Sequence, residues 1–314
     1  MLSIQNLSFA YTNDAVLQNI SFKVNQGENI AILGESGCGK STLLKLIYGL
    51  LDANQGEIFF DDLPVFGPKK NLIAGHFDMK YLAQDFDLMP YTTVAENVGQ
   101  FISNVNPDRK RNRIQELLET VEMVAFSDTK TRFLSGGQMQ RVAIAKVLAR
   151  EPKILLLDEP FSHIDNFRKN ALRRNLFAYL KNQNITCLVA THDSTDALSF
   201  SDKTIIIQNG QIAQIGDSKT IYHHPKNKYV GSLFGEISEI PKHIFIEASD
   251  DEILLCYPHQ LKISVDGKLK VNVRKSYFKG SFYLIKAVFG KQIVFFENPT
   301  DLAFNQVVHL SYQK

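Results

Sequence analysis

Gly34-Glu-Ser-Gly-Cys-Gly-Lys-Ser-Thr42 fits the phosphate-binding pattern Gly-x-x-x-x-Gly-Lys-[Ser/Thr]. It follows Asn29–Leu33, an apolar run of the length of a buried strand. It leads into a segment from Lys40 in which Leu43, Leu44, Leu46 and Ile47 are predicted to face inward on a helix, with Gly49 as its terminator. Between strand and helix, the glycines let backbone N–H groups turn toward phosphate, and the helix N-terminus adds partial positive charge. Lys40 is placed to pair with β- and γ-phosphate oxygens, and the Ser41 hydroxyl can serve Mg²⁺. Alone, the loop says only that a nucleotide binds. A chance glycine turn is the alternative, and the flanking strand and helix argue against it.

Working outward, Ser3–Phe9 and Ile20–Val24 have strand character. Ile154–Leu157 and Thr186–Ala190 are further apolar runs, with a helical pattern over Arg168–Lys181 between them. Strands alternating with helices predict a mostly parallel sheet. Arg113–Val124 and Gln138–Arg150 read as helices, the latter with Val142, Ile144, Ala145 and Leu148 inward. Asp158 and Glu159 end the Ile154 run. A buried strand would deliver them to the sheet edge beside the phosphate loop, Asp158 toward Mg²⁺ and Glu159 as general base for an attacking water. Taken alone, the pair also suits a strand end or helix cap. Leu134-Ser-Gly-Gly-Gln138 precedes a helix, so its N–H groups and the serine hydroxyl can hold phosphate too.

The ordered set of these three motifs resembles the ATP-binding cassette family, the motor subunits of ABC transporters. The resemblance implies an α/β P-loop NTPase core over residues 1–235, with a mostly parallel sheet, an antiparallel β region and a helical subdomain at about 88–150. It implies ATP and Mg²⁺ as cofactors, held by Gly34, Glu35, Ser36, Gly37, Cys38, Gly39, Lys40, Ser41 and Thr42. Gln84, in Leu82-Ala-Gln-Asp85, matches the family's glutamine loop, which senses Mg²⁺ and the γ-phosphate. His192, in Ala190-Thr-His-Asp193, matches the switch histidine. Tyr11 is expected to stack on adenine, with Phe9 as its rival for core packing. Ser135, Gly136, Gly137, Gln138 and Asp165 are expected on the nucleotide of a second copy, in a head-to-tail homodimer with two complete sites. In the aspartate loop, Phe161-Ser-His-Ile-Asp165, His163 stands where a small residue or Asn is usual; it either touches the partner or faces solvent. Cys38 reads as a filler whose helix-terminal setting could lower its pKa.

After residue 235 the pattern changes to period-2 runs: His243–Glu247, Ile253–Tyr257, Leu269–Val273, Ser281–Val288 and Gln292–Glu297. Turns at Asp266-Gly267 and Gly290-Lys291 separate some of them. Residues 236–314 are thus expected to form a small all-β, OB-like domain. With Thr220–Pro225 and Tyr229–Gly235 they resemble the exit segment and accessory domain of iron, polyamine, sulfate and sugar importers. Cys256-Tyr-Pro-His-Gln-Leu261 stands where those relatives often carry Arg-Pro-Glu, so the resemblance leaves open whether that domain binds a regulator. His223 and His224 are adjacent and point to different helix faces, which disfavours a metal site.

The chain of 314 residues is 44% hydrophobic and 22% charged, with net charge +2. Basic and acidic residues balance on both sides of residue 235, at 25 and 24 before it and 10 and 9 after it, so no nucleic-acid partner is expected. Three dispersed cysteines, Cys38, Cys187 and Cys256, suit a reducing compartment. There is no signal-peptide pattern at Met1 and no apolar run of membrane-spanning length. The expectation is a cytoplasmic subunit, peripheral on the inner face of the cell membrane. The family resemblance adds integral membrane permease subunits and an external solute-binding protein as partners. Leu88, Met89 and Tyr91 either form the socket for a permease helix or pack beneath the helical region. The resemblance favours import. A soluble ABC ATPase acting on ribosomes or nucleic acid, and an exporter motor, are the alternatives; charge balance and the single cassette disfavour the first, the β-rich tail the second.

Overall fold

The computed structural model describes the chain except Asn13, Gln84, Asp85, Glu247, Ala248, Asp250, Asp251 and Lys314, and the Asn166 side chain. It divides into two compact units, Met1–Lys219 and Thr220–Lys314.

The first unit is built on two sheets. One is antiparallel, in the order β2-β1-β4-β5, from β1 (Leu2–Ala10), β2 (Ala15–Val24), β4 (Gln55–Phe60) and β5 (Leu63–Pro64). The other contains β3 (Asn29–Leu33), β6 (Met79–Leu82), β7 (Ile154–Asp158), β8 (Thr186–Thr191), β9 (Lys203–Gln208) and β10 (Gln211–Gly216), in the order β10-β9-β3-β8-β7-β6. All its neighbours are parallel except β9 and β10. Every residue of β3, β7 and β8 is buried, which is why these strands read as unbroken apolar runs rather than alternating ones. Their registers, Leu33 opposite Thr191 and Ala190 opposite Asp158, bring three carboxyl ends to one edge. The loop after β3, the acidic pair after β7 and the histidine after β8 therefore meet there.

Helix α1 (Lys40–Tyr48) follows the phosphate loop and buries Leu43, Leu44, Leu46 and Ile47, roughly 1.5–3 kcal/mol for each side chain. Gly49 ends it in the left-handed conformation, φ 79°, with its N–H on the Leu46 carbonyl. A core of β1, β2, β3, β4 and α1 side chains surrounds that helix. A second core joins α2 (Val94–Gly99), α3 (Pro107–Thr120), α4 (Gly136–Leu148) and α5 (Asn166–Asn182) to the other face of the parallel sheet. Helix α6 (Ser194–Phe200) follows β8. Helix α4 is buried at Val142, Ala143, Ile144 and Ala145 in succession, and also at Gln140, Arg141 and Lys146. It is enclosed on several sides, not half-exposed. Among the described residues no helix is long and apolar enough to cross a membrane.

Helix α7 (Ser218–His223) spans the division between the units. The second unit continues with α8 (Lys228–Ser232), β11 (Ser238–Pro241), β12 (Ile253–Cys256), β13 (Leu261–Ile263), β14 (Leu269–Phe278), β15 (Tyr283–Phe289), β16 (Gln292–Asn298) and β17 (Val307–Tyr312). β11 pairs with β12, and the other five form an antiparallel sheet in the order β13-β17-β14-β15-β16. This is the all-β tail that the sequence predicts. Two details differ. The run predicted as a strand from His243 instead starts in a short 3₁₀ turn, Lys242–Ile244, and the strand lies earlier, ending at Pro241. Strands β13 and β17 carry too few inward residues for alternation to announce them; β17 buries only Val308 and Leu310. The unit also takes in Thr220–Gly235. Tyr222 stacks on Tyr257 at 4.4 Å, and the Tyr257 hydroxyl donates to the Gly231 carbonyl at 3.2 Å.

Candidate functional site

The loop Gly34–Gly39 bends through two left-handed glycines, Gly37 at φ 82° and Gly39 at φ 107°. Gly34 has no room for a side chain: a Cβ there would lie 2.5 Å from the Ile207 carbonyl oxygen and 2.7 Å from Cys38 Sγ. Gly39 caps α1 without any side-chain acceptor, so the first-turn amides are left for a ligand. Lys40 is buried, and its Nζ donates to the carbonyls of Gly34 at 2.7 Å and Glu35 at 2.9 Å. A cavity of about 360 Å³ opens here, lined by Tyr11, Val16, Ser36, Gly37, Gly39, Lys40, Ser41, Thr42, Glu159 and His192. Tyr11 is 58% exposed, with its hydroxyl 3.4 Å from Thr42 Oγ1. Phe9 is buried and meets Tyr11 edge-on at 4.8 Å, so the rivalry between them resolves with Phe9 in the core and Tyr11 at the cavity.

Ser41 Oγ donates to Asp158 Oδ1 at 2.8 Å, and the Tyr81 hydroxyl donates to Asp158 Oδ2 at 3.1 Å. Hydroxyl and carboxylate oxygens side by side form a donor set that suits a hard divalent cation such as Mg²⁺. Next to them, Glu159 Oε2 lies 2.8 Å from His192 Nδ1. The Glu159 backbone is left-handed, φ 50°, which costs a non-glycine residue about 1–3 kcal/mol. Its N–H donates to the Ala190 carbonyl at 2.9 Å. Gln84 lies outside the described residues.

Ser135 and Gln138 close a capping box at the start of α4: Ser135 Oγ accepts from the Gln138 N–H at 3.3 Å, and Gln138 Oε1 accepts from the Ser135 N–H at 2.8 Å. None of Ser135, Gly136, Gly137 and Gln138 lines the cavity at Lys40. Asp165 is exposed at the start of α5. The His163 side chain is exposed, with Nδ1 3.0 Å from Ser162 Oγ and its ring edge-on to Phe86 at 5.7 Å.

A family model described as ABC transporter matches residues 17–162. The spermidine/putrescine import ATP-binding protein PotA of Legionella pneumophila is 35% identical over 278 residues, which cover 87% of this chain and 75% of that protein. The chain belongs to the ABC transporter family, as an ATP-binding subunit. The Fe(3+) ions import ATP-binding protein FbpC of Haemophilus influenzae is 33% identical over 79% of this chain and 71% of its own length. Among solved structures, CbiO1 from Clostridium perfringens, part of the ABC transporter complex CbiONQ, superposes with TM-score 0.63 at 30% identity, over 71% of this chain and 90% of that one. The ATP-binding cassette MJ0796, a dimer in a post-hydrolysis state with ADP and Pi, gives TM-score 0.61 at 27% identity, over 69% of this chain and 99% of that one. This ABC subunit is an ATPase that powers transport.

Several polar residues of the subunit's site escape sequence reasoning. Tyr81, on β6, reaches the Asp158 carboxylate across the sheet. Arg173, buried on α5, places NH2 2.6 Å from Asp193 Oδ2 and Nε 2.6 Å from Asp196 Oδ1. Asp196 in turn accepts from Thr191 Oγ1 at 2.7 Å, so Arg173 braces both sides of His192. Burial alone would raise the Asp193 pKa, but hydrogen bonds from Arg173 and Thr195 outweigh it and hold the carboxyl at about 2. Burial pushes Asp196 the other way, above the ordinary carboxylate value, with Arg173 only partly opposing. Burial also pushes the Cys38 thiol up, and the nearby Lys40 charge does not reverse this. That corrects the expectation of a lowered Cys38 pKa: the thiol is half-buried against Gly34, and desolvation exceeds the helix-terminal field.

The proposed permease socket is divided. Leu88 packs on the helical core, whereas Tyr91 is 71% exposed beneath Arg132. The fully buried Asn97 pins the loop by taking the Met89 N–H at 2.8 Å and donating to the Met89 carbonyl at 3.1 Å.

Proposed function

We propose that this subunit drives import of a small cationic solute, with polyamines the first class to test and ferric iron the second. It would act as a head-to-tail homodimer on the cytoplasmic face of a membrane permease, supplied by an external solute-binding protein. One observation carries the dimer: Lys40, Ser41, Glu159 and His192 share a cavity, while Ser135–Gln138, a second phosphate-binding helix start, stands outside it. Two copies related by a two-fold axis would bring each signature onto the other's nucleotide. The names of the related import subunits, for spermidine/putrescine and for Fe(3+), support the direction and the charge of the cargo.

In this reading Tyr11 stacks on adenine, the loop amides of residues 34–42 cradle the phosphates, and Lys40 leaves its carbonyl partners for β- and γ-phosphate oxygens. Ser41, Asp158 and Gln84 would hold Mg²⁺, which when bound neutralises charge on the β- and γ-phosphates. Glu159 accepts the proton of the attacking water as that oxygen bonds to the γ-phosphorus and the bond to the ADP oxygen breaks. With Nδ1 donating to Glu159, His192 keeps the carboxylate aimed, and as an imidazolium it would also present Nε2–H to the γ-phosphate. ATP favours the closed dimer because its γ-phosphate is bound by both copies only in that state, and hydrolysis removes the bridge. Tyr91 and the neighbouring loop would receive the permease.

The test is to purify tagged Glu159→Gln from its native membranes with ATP and Mg²⁺. Hydrolysis should fall by about 10³-fold or more while an ATP-bound dimer accumulates with a polytopic permease. Ribosomal or nucleic-acid partners, with no membrane protein, would overturn the transporter assembly. Near wild-type hydrolysis would overturn the role of Glu159.

A further inference from the structure

Gln140 lies on α4, one helical turn after Gly137, and is 3% exposed. Its amide is fully engaged with the loop that carries Glu159. Nε2 donates to the Glu159 carbonyl at 2.9 Å and lies 3.5 Å from Ser162 Oγ, while Oε1 accepts from the His163 N–H at 3.1 Å. Ser162 Oγ adds a further bond to the Glu159 carbonyl at 3.0 Å. The left-handed Glu159 peptide is thus clamped on both sides, by Ala190 at its N–H and by Gln140 and Ser162 at its C=O. Gly137 meets the same loop: a Cβ there would lie 2.6 Å from the His163 carbonyl oxygen. Positions 137 and 140 share one face of α4. The signature helix and the Glu159 loop therefore touch through two consecutive points, with no space between them to absorb a shift.

We infer that Gln140 is a positioning residue that ties the aim of a subunit's Glu159 to the seating of that same subunit's signature helix. This rests on the head-to-tail reading above, in which the amides at the start of α4 hold the partner's γ-phosphate. Any displacement or rotation of α4 on engaging that phosphate reaches the Glu159 carbonyl through one buried amide. An apolar side chain of the same shape would fill the space but could not transmit it, because the Glu159 carbonyl and the His163 N–H would lose their shared partner. The general base would then be held loosely even when nucleotide and closed dimer are in place.

Gln140→Met keeps length and bulk and removes both polar contacts. In the full-length protein it should lower kcat for ATP about 10- to 100-fold, leave KM within about threefold, and let an ATP-bound dimer accumulate on size exclusion as Glu159→Gln does. A purely structural role would give a different pattern: a damaged α4 would lose the signature, raise KM and form no ATP dimer. Gln140→Glu keeps the acceptor for the His163 N–H and loses the donor; it should show the same split, and serves if the Met variant folds poorly. Wild-type kcat in both variants, with Glu159→Gln inactive, would sink the coupling and leave the site reading intact. Hydrolysis surviving in Glu159→Gln would instead remove the reading on which the coupling rests.

Discussion

The subunit has two glycine-rich helix starts, and they are finished differently. At α1 the capping position is Gly39, no side chain caps the helix, and Lys40 doubles back onto loop carbonyls. At α4 the chain caps itself, with Ser135 and Gln138 exchanging hydrogen bonds. The first leaves its amides uncapped and its ammonium on neutral carbonyls, and a phosphate would offer both a stronger, charged partner. The second is a helix start capped by its own chain, and it still keeps its Gly136 and Gly137 amides outside the intrahelical ladder. One start is built to bind tightly in a single chain. In the head-to-tail reading proposed above, the other would meet its phosphate only in a second chain.

Lys40→Ala gives the largest break in this contrast. Charge-assisted bonds to two phosphates, at about 1.5–3 kcal/mol each, would go, so ATP affinity of the isolated subunit should fall at least about 10²-fold in equilibrium titration. Gly137→Ala probes the other start. The added methyl would press on the His163 backbone, so the fold should lose about 1–3 kcal/mol in urea unfolding and hydrolysis should drop. ATP affinity of the isolated subunit should stay unchanged, because Gly137 does not line the Lys40 cavity. Equal loss of affinity in the two variants would erase the distinction.

The last test concerns Cys38. Burial raises its pKa, so the thiol is protonated at neutral pH despite the α1 terminus. Alkylation should be slow at pH 7, speed up about tenfold per pH unit toward pH 9 and beyond, and stop when ATP is bound. Labelling should abolish hydrolysis; a fully labelled, fully active subunit would show that the loop tolerates bulk at residue 38.

The elements that carry this contrast are legible in the sequence wherever burial is complete on both faces. Asn29–Leu33 is apolar after its first residue and folds as the strand it predicts, and Gly49 stops α1 as its position implies. Legibility fails where a polar side chain finds its partner far along the chain. Gln140, Tyr81 and Arg173 are ordinary polar residues in local pattern, and their roles come from Glu159, Asp158 and Asp193, which only the fold brings near. One local signal was available for Gln140. A helix with four successive apolar residues, Val142–Ala145, is enclosed, so its polar residues must find partners inside. In the tail, the strand from His243 is misplaced because alternation alone does not see that Pro241 and the 3₁₀ turn after it end the pairing.

Tyr11 offers a practical consequence. The chain contains 11 tyrosines and no tryptophan, and this one, 58% exposed, lines the cavity beside Lys40 that is proposed to take the nucleotide. A Tyr11→Trp subunit would carry the chain's sole indole at that cavity. Excited near 295 nm, where tyrosine absorbs little, its emission would report the arrival and departure of a purine base as light, in real time and without a labelled nucleotide.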